Sequence, residues 1–500
     1  MLKKMPPFFG IVLSVTLLWA AFPPLERSAC AWFGLVPLLC VLREVSFRKA
    51  FFFGYLFGLG YFVSTLWWIG YVTVTGMLFL SAYLAVFWGV FASAYRYSSL
   101  HTSLARIFFV PAVYVTLEFV RERALTGFGW ASLAHTQSGS LGLIQIVDLT
   151  GTAGVSFLLV MANVLWCELS SAGKRRLQAV VIFGLLLTMV LFYGHWALRR
   201  SFTGPEAAIS LVQGNISLPE AWGGISKQEI VDKYLALSSR TPDFAPDLVV
   251  WPENSFPPFI WEEDKLYRQV QTFAREKHLS LLLGAVTSVE GKYFNSGILL
   301  GADGGIKDMY SKRHLVVFGE YIPWRKQLPF LSALAPIDDF SPGEGSALFR
   351  LPGGINFVPL ICFEDTLPWL AREGVSGGGQ LIVNMTNDAW FKNSPGPLMH
   401  LHNAVFRAVE NRRFLARAAN TGISCFVSPR GEVTSCVRRQ GSGLQVEGVV
   451  SARVNAVDEL TFYTKYGDVF TILCFIIIIV VLVWATLRRS DGYKGGGHVR

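Results

Sequence analysis

The apolar residues of this chain are unevenly placed, and that placement restricts its fold more than any other feature. Apolar runs recur near 8–22, 29–42, 51–71, 77–95, 105–120, 152–170 and 177–197, and once more at 469–487. Between 200 and 465 no stretch is long and apolar enough to span a bilayer, and charged residues appear regularly. At about 1.5 Å per helical residue, the run from Val469 to Leu487 covers roughly the hydrocarbon thickness of a membrane. Overall, 52% hydrophobic residues and a mean hydropathy of +0.42 exclude an ordinary soluble enzyme. The expected organisation is a bundle of about seven spans over 1–199 and a globular domain over 200–465. A C-terminal transmembrane helix at 466–488 and a tail at 489–500, with a flexible "GYKGGGH", complete it. The 29–42 run is short and fits a re-entrant or tilted piece.

Charge gives the expected orientation. With a cytoplasmic N-terminus and eight spans, cytoplasmic segments hold Lys3, Lys4, Arg43, Arg48, Lys49, Arg96, Arg106, Lys174, Arg175, Arg176, Arg488, Arg489, Lys494 and Arg500. The short loops opposite hold Arg27, Arg121 and Arg123, with Arg199 and Arg200 a mild exception. Such a positive-inside bias puts the globular domain outside the cytoplasm. Residues 201–465 carry 25 basic and 27 acidic side chains, so the net charge of +9 sits in the loops and calls for no nucleic acid. Lys3 and Lys4 before an apolar run also suit a signal peptide, but six further spans before the domain favour a retained span. Seven cysteines, three of them in the globular domain, make no disulfide framework. Cys425 and Cys436 flank the turn "SPRGE" and either face each other across a hairpin or lie unpaired.

Within 200–465, strand-like runs such as "AAISLVQGNI", "DLVVWPEN", "LSLLLGAVTS", "FNSGILLGADG", "INFVPLICFED", "QLIVNMTND" and "TGISCFVSPRGEV" alternate with helical ones. The latter include "EEDKLYRQVQTFAREKH" and "LMHLHNAVFRAVENRRF". This alternation predicts a layered α/β domain. Three polar residues end or follow strands: Glu253 in "VVWPENSFP", Lys312 in "MYSKRHLVVFGEYIP" and Cys362 in "PLICFED". Gathered at strand ends, they make a nucleophilic site. The glutamate takes the thiol proton, the ammonium lowers the thiol's pKa, and the same ammonium holds an oxyanion. Each residue also has a plain reading: an inert core cysteine, a turn carboxylate, a solvated basic pair. Their joint order and contexts outweigh those readings. "HLH" at His400–His402 fits no metal site, since alternate helical residues diverge and no third ligand stands out. Glu118 and Arg121, one helical turn apart, either pair structurally or belong to a site at the membrane face.

These three contexts resemble the Glu-Lys-Cys triad of the nitrilase, or carbon–nitrogen hydrolase, superfamily. "NMTNDAWFKNSPGPLMHLHNAVFRAVENRRFLARAANTG", "LEFVRERALTGFGWASLAHTQSG" and "DLTGTAGVSFLL" resemble its membrane-bound branch, the apolipoprotein N-acyltransferases, so that nearly the whole chain is covered. The resemblance implies a multi-span helical membrane domain plus a nitrilase-like αββα sandwich on the periplasmic side of the bacterial inner membrane. It implies acyl transfer from a phospholipid, through a thioester on Cys362, to the α-amine of a diacylglyceryl-cysteine on an apolipoprotein. The enzyme would act as a monomer, without cofactor, metal or nucleic acid. Glu253 is then general base and acid, Lys312 the oxyanion holder and Glu320 the lysine's support. Glu364 is a further carboxylate beside the cysteine, Trp390 lies in a lid loop, and Gly151 matches a glycine of the membrane region. Two departures are Phe363, where the family often has tyrosine, and Gly129, where proline is common. The phenolic hydroxyl therefore has no role at Phe363.

Two other classes compete. A membrane-tethered amidase or nitrilase would use the same triad on a water-soluble substrate; the eight-span anchor and the full-length resemblance speak against it. A transporter or scaffold would carry ionisable residues within its spans and paired repeats; the charges here gather at span ends. Trp67, Trp68, Phe51, Phe52 and Phe53 offer an acyl-chain route, or else interfacial belts and packing.

Overall fold

A computed structural model describes residues 5–98, 102–169, 174–240, 245–257, 259–323, 325, 327 and 339–494. The chain divides into two compact units, one of 1–67, 77–196 and 468–500, the other of 68–76 and 197–467.

The first unit is helical. Among the described residues, Val74–Ser98, Leu177–Ala197 and Val469–Leu487 are long and apolar enough to cross a membrane unaided, and Pro7–Ala21, Ser28–Leu42 and Thr152–Glu168 are shorter apolar helices. The 29–42 run is broken in two, a 3-10 turn at Ser28–Trp32 and a helix at Val36–Leu42. Proline at the start of the second piece suits a new helix, not a continued one. Close packing explains two glycines. A Cβ on Gly54 would sit 2.3 Å from that of Ala92, and one on Gly58 2.8 Å from that of Trp88. Small residues thus let two helices touch backbone to backbone. Buried charge is paired. Arg106 and Arg43 both meet Glu168. Glu118 accepts from the Tyr114 hydroxyl at 2.8 Å and from the Leu133 amide, with Arg121 3.8 Å away. Glu118 and Arg121 thus lie within ion-pair range, and both line a cavity with Phe62, Trp88 and Tyr114. The last helix runs past Leu487 to Lys494, so the start of "GYKGGGH" is helical; 495–500 lie outside the described residues.

The second unit is an αββα sandwich, the layered domain expected. Its strands are β1 Glu206–Gln213, β2 Leu248–Val250, β3 Ser280–Val289, β4 Lys292–Leu300, β5 Ile306–Ser311 and β6 Phe349–Arg350. They continue with β7 Asn356–Ile361, β8 Leu381–Thr386, β9 Leu415–Ala419, β10 Cys425–Val427, β11 Val433–Cys436 and β12 Gly448–Asn455. The first sheet has the order β12-β1-β2-β3-β4-β5, the second β11-β10-β9-β8-β7-β6. Strand alternation builds the layers. Leu248, Val250, Leu282 and Leu299 join Phe357, Ile361, Val383 and Phe426 in the core between the sheets. Their neighbours Val249, Leu281, Leu283 and Ile298 face the helices Lys227–Ser238 and Asp264–Lys277 through Val231, Tyr234 and Val270. Strands buried on both faces explain the continuous "LLLG" and "LVVW" runs, and each such side chain contributes about 1.5–3 kcal/mol of burial. The "TGISCFVSPRGEV" run forms β10 and the first residue of β11, with Cys425 opposite Cys436 in register and both thiols free.

Candidate active site

Parallel strands β1, β2 and β3, and likewise β7, β8 and β9, run the same way within each sheet. Their carboxyl ends open on one side, where an α/β domain places its ligands. Glu253 follows β2, Lys312 follows β5 and Cys362 follows β7, and the fold gathers all three.

Glu253 and Lys312 are buried, at 5% and 1% exposure, so neither is a solvated surface charge. Lys312 Nζ lies 2.8 Å from Glu320 Oε2 and 3.4 Å from Glu253 Oε1. One residue that sequence reasoning missed joins them. Asn295 Nδ2, from β4, donates to Glu253 Oε1 at 2.7 Å and to Glu320 Oε1 at 2.8 Å. Its backbone carbonyl accepts from the Lys312 amide at 2.7 Å. A buried asparagine in the run "YFNSG" was the available signal. Glu253 Oε2 accepts from the Asn387 amide at 2.9 Å, and Glu320 Oε2 from the Val316 amide at 2.8 Å. Burial works against the Lys312 ammonium, but Glu320, Glu253 and the nearby sulfur outweigh it and hold the pKa above the ordinary lysine value.

Cys362 occupies a left-handed turn, φ +52°, directly after β7. A side chain in that conformation costs about 1–3 kcal/mol and persists only where its surroundings impose it. The sulfur feels Glu253 and Lys312 together. Burial pushes the thiol well above its ordinary value, Glu253 adds to this, and Lys312 opposes it without prevailing. The ammonium thus lowers this pKa as expected, but desolvation outweighs it and sets the net direction.

Glu364 ties the lysine loop to the cysteine turn. Its Oε1 accepts from the Tyr310 hydroxyl at 2.8 Å and from the amides of Arg313 at 2.8 Å and His314 at 3.3 Å. Its Oε2 accepts from the Ile361 amide at 2.8 Å. Burial nonetheless raises its pKa. Phe363 stacks on His314, ring centres 5.8 Å apart. Trp390 is 37% exposed in the turn Asp388–Phe391, after β8. Trp68 is buried against Phe391, 4.5 Å between rings, and so is a packing residue. Gly151 belongs to the helical unit, at a φ of +61° between the helices Val147–Thr150 and Thr152–Glu168, a turn that glycine makes readily.

Beneath Cys362 lies a second cluster that the sequence did not disclose. His400 Nδ1 is 2.8 Å from Asp388 Oδ1, and its Nε2 2.8 Å from Asp365 Oδ1. Arg417 Nη1 meets Asp365 Oδ2 at 2.6 Å, and its Nη2 meets Asp388 Oδ2 at 3.1 Å. All four side chains are fully buried. "HLH" was a visible signal, but its first histidine packs against carboxylates from two other segments.

A partly buried cysteine beside a carboxylate and an ammonium at strand ends fits an enzyme of the carbon–nitrogen hydrolase class. A sequence model described as carbon-nitrogen hydrolase matches residues 208–458, and one described as apolipoprotein N-acyltransferase N-terminal domain matches 14–165. The apolipoprotein N-acyltransferase of Geobacter metallireducens is 36% identical over 519 residues, covering 97% of this chain and 98% of that protein. Its counterpart in Allorhizobium ampelinum is 34% identical over 464 residues, covering 85% and 86%. An amidase from Nesterenkonia sp. of known crystal structure aligns at 19% identity and a TM-score of 0.39, covering 53% of this chain and 94% of that one. The chain belongs to the apolipoprotein N-acyltransferase family and is an acyltransferase.

Proposed function

We propose that Cys362 accepts a fatty acyl group from a membrane phospholipid and passes it to the N-terminal α-amine of a diacylglyceryl-modified apolipoprotein. The supporting observation is the convergence of Glu253, Lys312 and Cys362 at strand ends, with a single ammonium shared between two carboxylates. In the first half-reaction the Cys362 sulfur attacks the ester carbonyl while Glu253 takes the thiol proton. The S–C bond forms, and the tetrahedral oxyanion rests against the Lys312 ammonium. Collapse breaks the C–O bond, and Glu253 returns its proton to the departing lysophospholipid. In the second half the amine attacks the thioester. The C–N bond forms, the C–S bond breaks, and Glu253 moves the amine proton to the sulfur. A raised thiol pKa suits this scheme, because the base must then act within the step.

Glu320, joined to Lys312 and Asn295, supports the ammonium, and Glu364 keeps the lysine loop against the turn. Phe363 contributes its ring alone. Trp390 stands in a lid over the acyl chain; Gly151 shapes the membrane region. Donor and lipidated acceptor both reside in a bilayer, so we place the helical segments 1–199 and 466–488 in the bacterial inner membrane as a multi-pass anchor. The domain 200–465 is then periplasmic and the tail 489–500 cytoplasmic, in keeping with the loop charges, and the enzyme works as a monomer.

Incubation with phospholipid carrying a labelled acyl chain tests the reading. Intact mass should rise by one acyl group on the Cys362 peptide, and neutral hydroxylamine should remove it. Wild-type protein that never acquires the label sinks it.

A further inference from the structure

The cluster beneath the nucleophile has a charge count and a geometry that the half-reactions above leave unused. Both ring nitrogens of His400 stand 2.8 Å from carboxylate oxygens, Nδ1 from Asp388 and Nε2 from Asp365. The hydrogen-bond partners of Nδ1 and Nε2 are an Asp388 carboxylate oxygen and the Cys362 carbonyl, both of which only accept, so each nitrogen carries a proton and the ring is an imidazolium. Two cations, His400 and Arg417, then balance two anions, Asp365 and Asp388. The same Nε2 lies 3.3 Å from the Cys362 carbonyl oxygen. That carbonyl has a second donor, Asn384 Nδ2 at 3.4 Å, whose own oxygen accepts from Arg417 Nη1 at 3.1 Å. The strained turn at φ +52° is therefore held through its carbonyl by two groups, one belonging to the network and one oriented by it.

Resting on the reading of Cys362 as nucleophile, we propose that His400 is a positioning residue. It is an imidazolium clamped between Asp388 and Asp365 that grips the Cys362 carbonyl and cancels the carboxylate charge beneath the sulfur. The groups facing it come from every neighbouring segment: Asp365 from the turn after Cys362, Asp388 from the turn after β8, and Arg417 from β9. On its own helix Arg407 pairs with Glu410 and reaches the Asp365 carbonyl. Burial and Arg417 work against a charged ring, but the two aspartates outweigh them and bring His400 to about 9. Asp388 in turn acts on the sulfur, raising the thiol. Remove the imidazolium, and a net negative charge is left under a group that must become a thiolate.

The test uses the full-length chain in detergent and reads two quantities. One is iodoacetamide labelling of Cys362, followed by peptide mass; the other is acyl transfer. Labelling needs no acyl transfer, so it fails or succeeds independently of the proposed reaction. His400→Gln removes one positive charge. Labelling at pH 8 should fall about tenfold, the equivalent of about one pKa unit. Turnover should fall at least as far with the phospholipid KM unchanged. Adding Asp388→Asn restores neutrality, and labelling should return to within about threefold of wild type. A filler with no electrostatic role would not be rescued by removing a second charge. Labelling of His400→Gln at the wild-type rate, or a loss that Asp388→Asn leaves in place, overturns the proposal. If the glutamine variant does not fold, as judged by its melting temperature, His400→Asn is read against the same two outcomes.

Discussion

Two charged clusters flank the sulfur, one from each sheet, and they differ in sum. The cluster from the first sheet has one ammonium, Lys312, for two carboxylates, Glu253 and Glu320. The cluster from the second has two cations for two carboxylates. Glu320 holds the closer share of the ammonium, 2.8 Å against 3.4 Å, which leaves Glu253 the less compensated acid. A carboxylate left over beside a buried thiol can take its proton, whereas a balanced cluster can only hold shape and set the local field. On the reading proposed above, proton chemistry goes with an imbalance of charge, and scaffolding with its absence.

That contrast can be broken in several places. Removal of the sulfur in Cys362→Ala should abolish both the acyl-enzyme and transfer, and Cys362→Ser should leave at most a slow, oxygen-linked intermediate visible by mass. Glu253→Gln keeps the shape and removes the base, so transfer should drop by about 10²–10⁴. A variant that retains most of the activity would show that the leftover carboxylate is not the base. Lys312→Met should cost about 10²–10³ in kcat through lost oxyanion stabilisation. It should also lower the melting temperature, because two buried carboxylates lose their cation. Glu364→Gln loses a charged acceptor for four donors. A stability loss of about 1.5–3 kcal/mol, with a smaller effect on transfer than Lys312→Met, is expected.

The smallest effect is one of pH. His400 is held at about 9 in the fold, against 6.5 for an ordinary histidine. The folded state therefore binds the proton more tightly than the unfolded chain. Its contribution is complete below about pH 6.5 and is lost as pH rises through about 9. Thermal unfolding of wild type should show this decline, and His400→Gln should flatten it. An equal decline in both proteins would put the titration elsewhere.

Much of this protein was legible in one dimension. Apolar runs marked the helical unit because a membrane-sized helix needs about 20 apolar residues in succession. Strand alternation and turn contexts marked the α/β unit, and the three motif residues stood out because each followed a strand-like run in a distinctive context. The 29–42 run, short for a span, holds a 3-10 turn at Ser28–Trp32 and a helix at Val36–Leu42. The network residues were hidden. Asn295 meets Glu253 across 42 positions and Glu320 across 25, and Asn387 meets Glu253 across 134. No local pattern records such meetings.

Local periodicity and composition determined which segments are helices and strands, since backbone geometry repeats every few residues and side chains must match it. Charge balance is not local. Only the tertiary structure decided that Lys312 would be buried between two acids, that the net push on the thiol would be upward, and that His400 would sit against Cys362. Desolvation and Coulomb interactions depend on distance in space, and folding alone sets those distances.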